Sequence, residues 1–228
     1  MHHHDILAVA YIRGHALKTG VPALPDNCRQ KPLEQLTQEE TSAILSLGRA
    51  AELKLYPFKP KQDYLPRIRK VLGFLRGIPF ETLLDVGSGR GAFLFPLLAE
   101  LPWVEVTAMD ILPHRIDFLQ NLAEGGMNRL HVLDADICTQ PLPTHSADVV
   151  TLLEVLEHIP AVEKAVQAAV EMARKFVVVT VPSRPDDNPE HIHLLTRERL
   201  TELFGQAGCT NLHFDQVPEH LILIANVQ

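Results

Sequence analysis

Three glycines at alternating positions follow an apolar run in Leu83-Leu84-Asp85-Val86-Gly87-Ser88-Gly89-Arg90-Gly91. The run suits a buried parallel strand. The glycines permit backbone angles and a close ligand approach that side chains would block, so a nucleotide-bearing cofactor could rest on this backbone. Acids recur beyond it. Asp110 closes a second apolar run, Val104 to Met109, where a carboxylate would accept hydrogen bonds from ribose hydroxyls, and Asp134-Ala135-Asp136-Ile137 supplies a third acidic turn. Glu154, Glu157 and His158 follow at i, i+3 and i+4, which share one face if the chain turns helical. A later group reads Asn188-Pro189-Glu190-His191-Ile192-His193. A His or carboxylate there could take a proton from an attacking oxygen or nitrogen.

Gly87, Gly89 and Ala92 also fit the G-x-G-x-x-A form of a dinucleotide fingerprint, and an acid after the second strand serves both chemistries. Asp85 ahead of the glycines and Asp136 before the next strand separate the two, because a dinucleotide site needs neither. Each residue also has a plainer structural use. The glycines could make a turn and nothing more, Asp110 and Asp136 could cap helices, Glu157 and His158 could order a helix start, and His191 and His193 could be loop or core histidines.

Taken in order, Leu83 to Gly91, Met109-Asp110-Ile111, Asp136-Ile137 and Ser146 to Ile159 resemble the class I S-adenosylmethionine-dependent methyltransferases, over about two thirds of the chain. The resemblance implies a cofactor site of Asp85, Gly87, Ser88, Gly89, Gly91, Asp110, Ile111, Asp136 and Ile137. In it Asp110 holds the ribose and Asp136, rather than Asp134, contacts the adenine amino group. Catalytic candidates are His158, His193 and Glu154. Glu154, Glu157 and His158, with a later His191 and Thr196-Arg197, also resemble the small-RNA 3′-terminal 2′-O-methyltransferases. That likeness implies a magnesium held by Glu154, Glu157, His158 and His191. Here His193-Leu194-Leu195 replaces that family's aromatic and acidic segment, and the expectation is a site without an essential metal.

The elements that must position these residues alternate as strand and helix from Leu83 onward, which demands crossover connections and a parallel sheet covered on both faces. Strands are expected at Thr82 to Val86, Glu105 to Met109, Leu130 to Leu133, Ala147 to Leu153 and Phe176 to Val181. Helices are expected near Ala92 to Leu101, Arg115 to Glu124 and Pro160 to Arg174, and a last one after Thr196. The expected fold is α/β: a doubly wound, mostly parallel Rossmann-like sheet with a C-terminal antiparallel hairpin, Leu212 to Gln216 with Leu221 to Val227. Residues 1–62 form an N-terminal helical extension or lid, and 63–228 the cofactor-binding domain. Within the extension, Asp5 to Lys18 has helical spacing interrupted by Gly14. Thr37-Gln38-Glu39-Glu40 has the spacing of a capping box, opening a helix that could run to Leu55. A further helix occupies Pro66 to Arg76.

With 228 residues and 46% hydrophobic content the chain can bury one sizeable core. No apolar run approaches the length that crosses a bilayer, and the N-terminus lacks a secretory pattern, so a cytoplasmic protein without membrane attachment is expected. Cys28, Cys138 and Cys209 lack metal-site or disulfide spacing. His2 to His4 are given no function. The net charge of −7 is uneven: Lys54 to Arg76 carries +6, with Tyr56, Phe58 and Tyr64 interleaved, and the rest −13. That segment could hold RNA phosphates or be a solvated face. The functional expectation is transfer of a methyl group from S-adenosylmethionine to an oxygen or nitrogen of a small or medium-sized acceptor. The alternatives are metal-assisted methylation of an RNA end, a catalytically inactive cofactor-binding module and, more remotely, a dinucleotide oxidoreductase.

Overall fold

A computed structural model describes residues 3–58, 65–185 and 187–228. The apolar run before the glycines forms β1 (Thr82–Val86), and the next runs form β2 (Glu105–Asp110), β3 (Leu130–Asp134), β4 (Ala147–Leu153) and β5 (Ala173–Pro182). All five are parallel, and β6 (Asn211–Val217) and β7 (His220–Asn226) close the chain as an antiparallel hairpin. The sheet order is β3-β2-β1-β4-β5-β7-β6, with β7 antiparallel to β5. Strand order reverses between β1 and β4, where ligands of open parallel sheets bind.

Successive strand residues point to opposite faces, and both faces are covered. Leu83 packs into one apolar cluster and Leu84 into the other, each almost fully buried. The first cluster takes helices α1 (His3–Thr19), the single turn α2 (Asp26–Arg29), α3 (Gln38–Ala50), α4 (Pro66–Arg76), α5 (Leu94–Glu100) and α6 (Pro113–Glu124). The second takes α7 (Val162–Met172) and α8 (Arg197–Gln206). No helix among the described residues is long and apolar enough to cross a membrane.

Several boundaries differ from the sequence expectation for local reasons. The capping box forms: Glu40 N donates to Thr37 Oγ1 at 3.1 Å, and Thr37 N donates to Glu40 Oε2 at 2.8 Å. The helix it opens stops at Ala50, short of Leu55, where Glu52 turns left-handed at φ 56°. Helix α7 ends two residues before Arg174, because Ala173 already pairs with Ala147 across the sheet. Gly14 does not interrupt α1. It lets α1 press against α6: a Cβ there would lie 1.9 Å from Asn121 O, and one at Gly125, just past α6, would lie 1.7 Å from Ala10 O. Leu7, Val9, Ala10 and Ile12 are fully buried, and Arg13, only 4% exposed, donates from Nη1 to Lys31 O at 2.8 Å and from Nη2 to Arg29 O at 2.6 Å. The described part of 1–62 therefore shares one apolar cluster with β1 and β2.

Candidate active site

At the carboxyl ends of β1, β2 and β4 lies a cleft of about 840 Å³. Every residue the sequence selected for cofactor binding lines it except Gly91. The three glycines differ in what they permit. Gly87, at φ 69°, packs under Val155, whose Cγ2 would lie 2.6 Å from a Cβ, and a Cβ at Gly91 would lie 2.4 Å from the ring of Phe95. Gly89, at φ 57°, is the least crowded of the three: a Cβ there would meet Gly87 O at 3.7 Å and Arg115 Nη1 at 3.9 Å, ordinary contacts that leave its backbone approachable from the cleft.

The acids are held by the turns that follow their strands. Asp110 is buried, and its Oδ1 accepts from Ile111 N at 2.9 Å and Leu112 N at 3.0 Å, while Oδ2 accepts from Gly89 N at 3.0 Å. That last bond ties the β1 turn to the β2 turn. Arg115 Nη1 lies 3.8 Å from the same Oδ2. Asp136 Oδ1 accepts from Cys138 N at 2.8 Å and lines the cleft with Ile137, whereas Asp134 is exposed and outside the lining. Ile111 is 62% exposed and offers an apolar surface at the cleft wall.

Asp85 is buried beneath the glycine turn, and its Oδ1 accepts from Thr151 Oγ1 at 2.7 Å. Desolvation outweighs that bond and pushes its carboxyl up to about 6. The unfolded chain ionises Asp85 at lower pH than the folded chain does. Its contribution to stability is therefore full below about pH 4, falls between about pH 4 and 6, and stays lost above. The Asp85→Asn protein is expected to gain on the order of 2–3 kcal/mol in urea unfolding at pH 7 and almost nothing at pH 4. Equal gains at both values would remove the burial cost from Asp85.

The polar groups near Glu154 and His191, 37 residues apart in sequence, meet only in part. Ile192 N donates to Glu157 O at 2.9 Å and His158 Nδ1 donates to Glu190 O at 2.9 Å, stitching residues 190–192 to the turn Leu156–His158. Ligand-capable atoms of Glu157, His158 and His191 lie within 4.8 Å of one another. Glu154 is absent from this group. It adopts φ 59°, and only one 3₁₀ turn follows, so the shared helical face does not form. Its carboxylate instead accepts from Thr180 Oγ1 at 2.7 Å and His220 Nε2 at 3.0 Å, with Arg67 Nε at 3.7 Å. His158 and Glu154 line the cleft; His193 does not, and its Nε2 donates to Ile159 O at 3.0 Å.

Sequence reasoning missed Arg67 as a cleft residue and Thr180 and His220 as the groups that hold Glu154. They come from α4, β5 and β7, and no local spacing links them to the turn after β4. Within Lys54 to Arg76, Arg67, Lys70 and Arg76 pair with Glu154, Asp215 and Glu100. Lys59, Lys61, Asp63 and Tyr64, and the boundary expected at 62–63, lie outside the described residues.

A family described as a methyltransferase domain matches residues 84–176, which hold the glycine turn, the cleft acids Asp85, Asp110 and Asp136, and the turn after β4. That segment is a methyltransferase domain, set in the sheet topology of the class I S-adenosylmethionine-dependent methyltransferases. Across 203 residues this methyltransferase is 25% identical to a ubiquinone biosynthesis O-methyltransferase from Serratia proteamaculans (strain 568), covering 75% of the present chain and 81% of that one. In fold it is similar to an O-methyltransferase family protein from Burkholderia thailandensis, with a TM-score of 0.57 at 15% identity, over 83% of this chain and 62% of that one. It is similar also to the small RNA methyltransferase HEN1, with a TM-score of 0.59 at 18% identity, but over 74% of this methyltransferase and only 26% of that chain. The two structural likenesses concern the fold, and the chain spans less than two thirds of either.

Proposed function

We propose that this methyltransferase methylates a hydroxyl of a small-molecule acceptor, with His158 as the base. The observation that carries the reading is the hydrogen bond from His158 Nδ1 to Glu190 O. A carbonyl only accepts, so in the neutral ring Nδ1 bears the proton and Nε2 bears the lone pair, on a residue that lines the cleft. Glu154 suits the role of base less well, since two donors and a guanidinium surround its carboxylate. The name of the Serratia relative supports oxygen as the methylated atom.

The cleft suits S-adenosylmethionine. The uncrowded Gly89 can admit a ligand to the backbone, Asp110 can accept from ribose hydroxyls, Asp136 from the adenine amino group, and Arg67 can meet a carboxylate at the cleft wall. The cofactor supplies a methyl group already activated on sulfonium. The protein's share is positioning and removal of one proton: the acceptor oxygen takes the methyl group as His158 Nε2 takes the hydroxyl proton, and S-adenosylhomocysteine is left. Release of S-adenosylhomocysteine across a panel of hydroxylated and amine acceptors tests this reading, and turnover confined to amines would overturn it. Asp110→Ala is expected to lower cofactor affinity by about 1–3 kcal/mol, because a ribose acceptor is lost and the amides of Gly89, Ile111 and Leu112 lose their own. Calorimetry showing unchanged affinity would take Asp110 out of the site.

A second reading rests on the grouping of Glu157, His158 and His191. One carboxylate and two imidazoles suit a divalent cation, and the Nδ1 bond of His158 would orient Nε2 toward it. The four-ligand arrangement expected from the RNA-methylating resemblance does not assemble, because Glu154 is held by Thr180 and His220. The two readings compete for the same nitrogen. Turnover that survives EDTA supports the base; turnover lost to EDTA and restored by a divalent cation supports the cation.

A further inference from the structure

Beside the cofactor cleft lies a second cavity of about 250 Å³, walled by Tyr56, Leu65, Ile68, Phe95 and Pro96. Ile68, Arg90 and Ala92 line both cavities, so the two adjoin. The wall that Phe95 forms is fixed. Its ring stacks on Phe58 with centroids 5.3 Å apart, Phe58 stacks on Phe118 at 5.5 Å, and Gly91 leaves the room the ring occupies. At the mouth, Tyr56 is 58% exposed and Leu65 40%, large apolar side chains left uncovered beside a cavity. Apolar surface of this kind marks a place that a ligand covers.

Arg90 stands where the cavities meet. Among the described residues it makes no hydrogen bond or ion pair, in contrast to Arg67 with Glu154 and Arg115 beside Asp110. An unpaired guanidinium beside an apolar wall selects a planar anion next to an apolar group. Resting on the hydroxyl-methylation reading above, we propose that this second cavity is the acceptor subsite and takes the ring of an aromatic hydroxy acid. The carboxylate pairs with Arg90, the ring lies against Phe95 and Tyr56, and the hydroxyl extends into the cofactor cleft toward His158.

The test uses the full chain loaded with S-adenosylhomocysteine and four probes: 3,4-dihydroxybenzoate, 3,4-dihydroxycinnamate and the methyl ester of each. Calorimetry is expected to show each acid binding at least about tenfold more tightly than its ester. Arg90→Met should erase that preference, and Tyr56→Ala should weaken acid and ester alike by about five- to tenfold. Both variants should bind S-adenosylhomocysteine as the wild type does. Failure of both acids to bind, retention of the acid preference in Arg90→Met, or loss of S-adenosylhomocysteine affinity in Arg90→Met would each overturn the assignment. The last result would give Arg90 to the cofactor's own carboxylate. None of these outcomes depends on turnover, so a failure of His158 as the base would be seen separately.

Discussion

His158→Gln is expected to lower turnover by about 100- to 10,000-fold while leaving affinity for S-adenosylhomocysteine within about twofold, the range lost when a positioned general base is removed. Glutamine can still donate an amide proton toward Glu190 O, so the stitch between the turn after β4 and residues 190–192 has a replacement. What glutamine lacks is a lone pair basic enough to take a proton. Turnover by S-adenosylhomocysteine release and affinity by calorimetry separate the two effects. A variant that keeps its turnover would show that the acceptor needs no base from this residue. A variant that loses cofactor affinity in parallel would make His158 part of the donor pocket.

Gly14→Val should cost about 3 kcal/mol or more of stability, at the upper end for overpacking. A Cβ at Gly14 meets backbone, with Asn121 O at 1.9 Å, and backbone within a packed helix cannot swing aside as a side-chain tip can. Valine at Gly125 should cost as much, because it would press on Ala10 O from the other helix. Gly205, where a Cβ meets nothing within 4 Å, is the control: Gly205→Ala should be neutral or slightly stabilising. Urea unfolding of the three variants checks the contrast. Equal, small losses at Gly14 and Gly205 would mean that α1 rests only loosely on α6.

The parts of the site legible in the sequence are those whose side-chain type and backbone position lie in one short stretch. Asp85 with the glycine turn is such a stretch, as are Asp110 at the end of β2 and Asp136 ahead of its own turn; a strand followed by a tight turn puts each on the same rim whatever the rest of the chain does. Glu154 shares a face with Glu157 and His158 only if the chain there is helical. Its left-handed backbone and its bonds to Thr180 and His220 are tertiary facts, created when β5 and β7 pair beside β4. Gly14 shows the same limit from the other side. In sequence a glycine within a helical pattern looks like a break, and only the closeness of α6 shows it to be a condition of packing. Arg67 falls within a basic run legible only as charge, while its place in the cleft depends on the tertiary packing that brings α4 within reach of Glu154.

The docking of α1 on α6 sets an order of events for a chain being made. Residues 3–19 leave the ribosome about a hundred residues before 113–124. At about 5–20 residues per second, the earlier helix waits on the order of 5–20 s for the surface that will cover it. During that interval Ile12 can already meet Gly48 of α3, but the face of α1 that carries Ala10 and Gly14 lacks its partner. An apolar face without its partner invites chaperone binding until α6 has been made, so the same close contact that secures the finished protein leaves one face of its opening helix exposed to misassociation during synthesis.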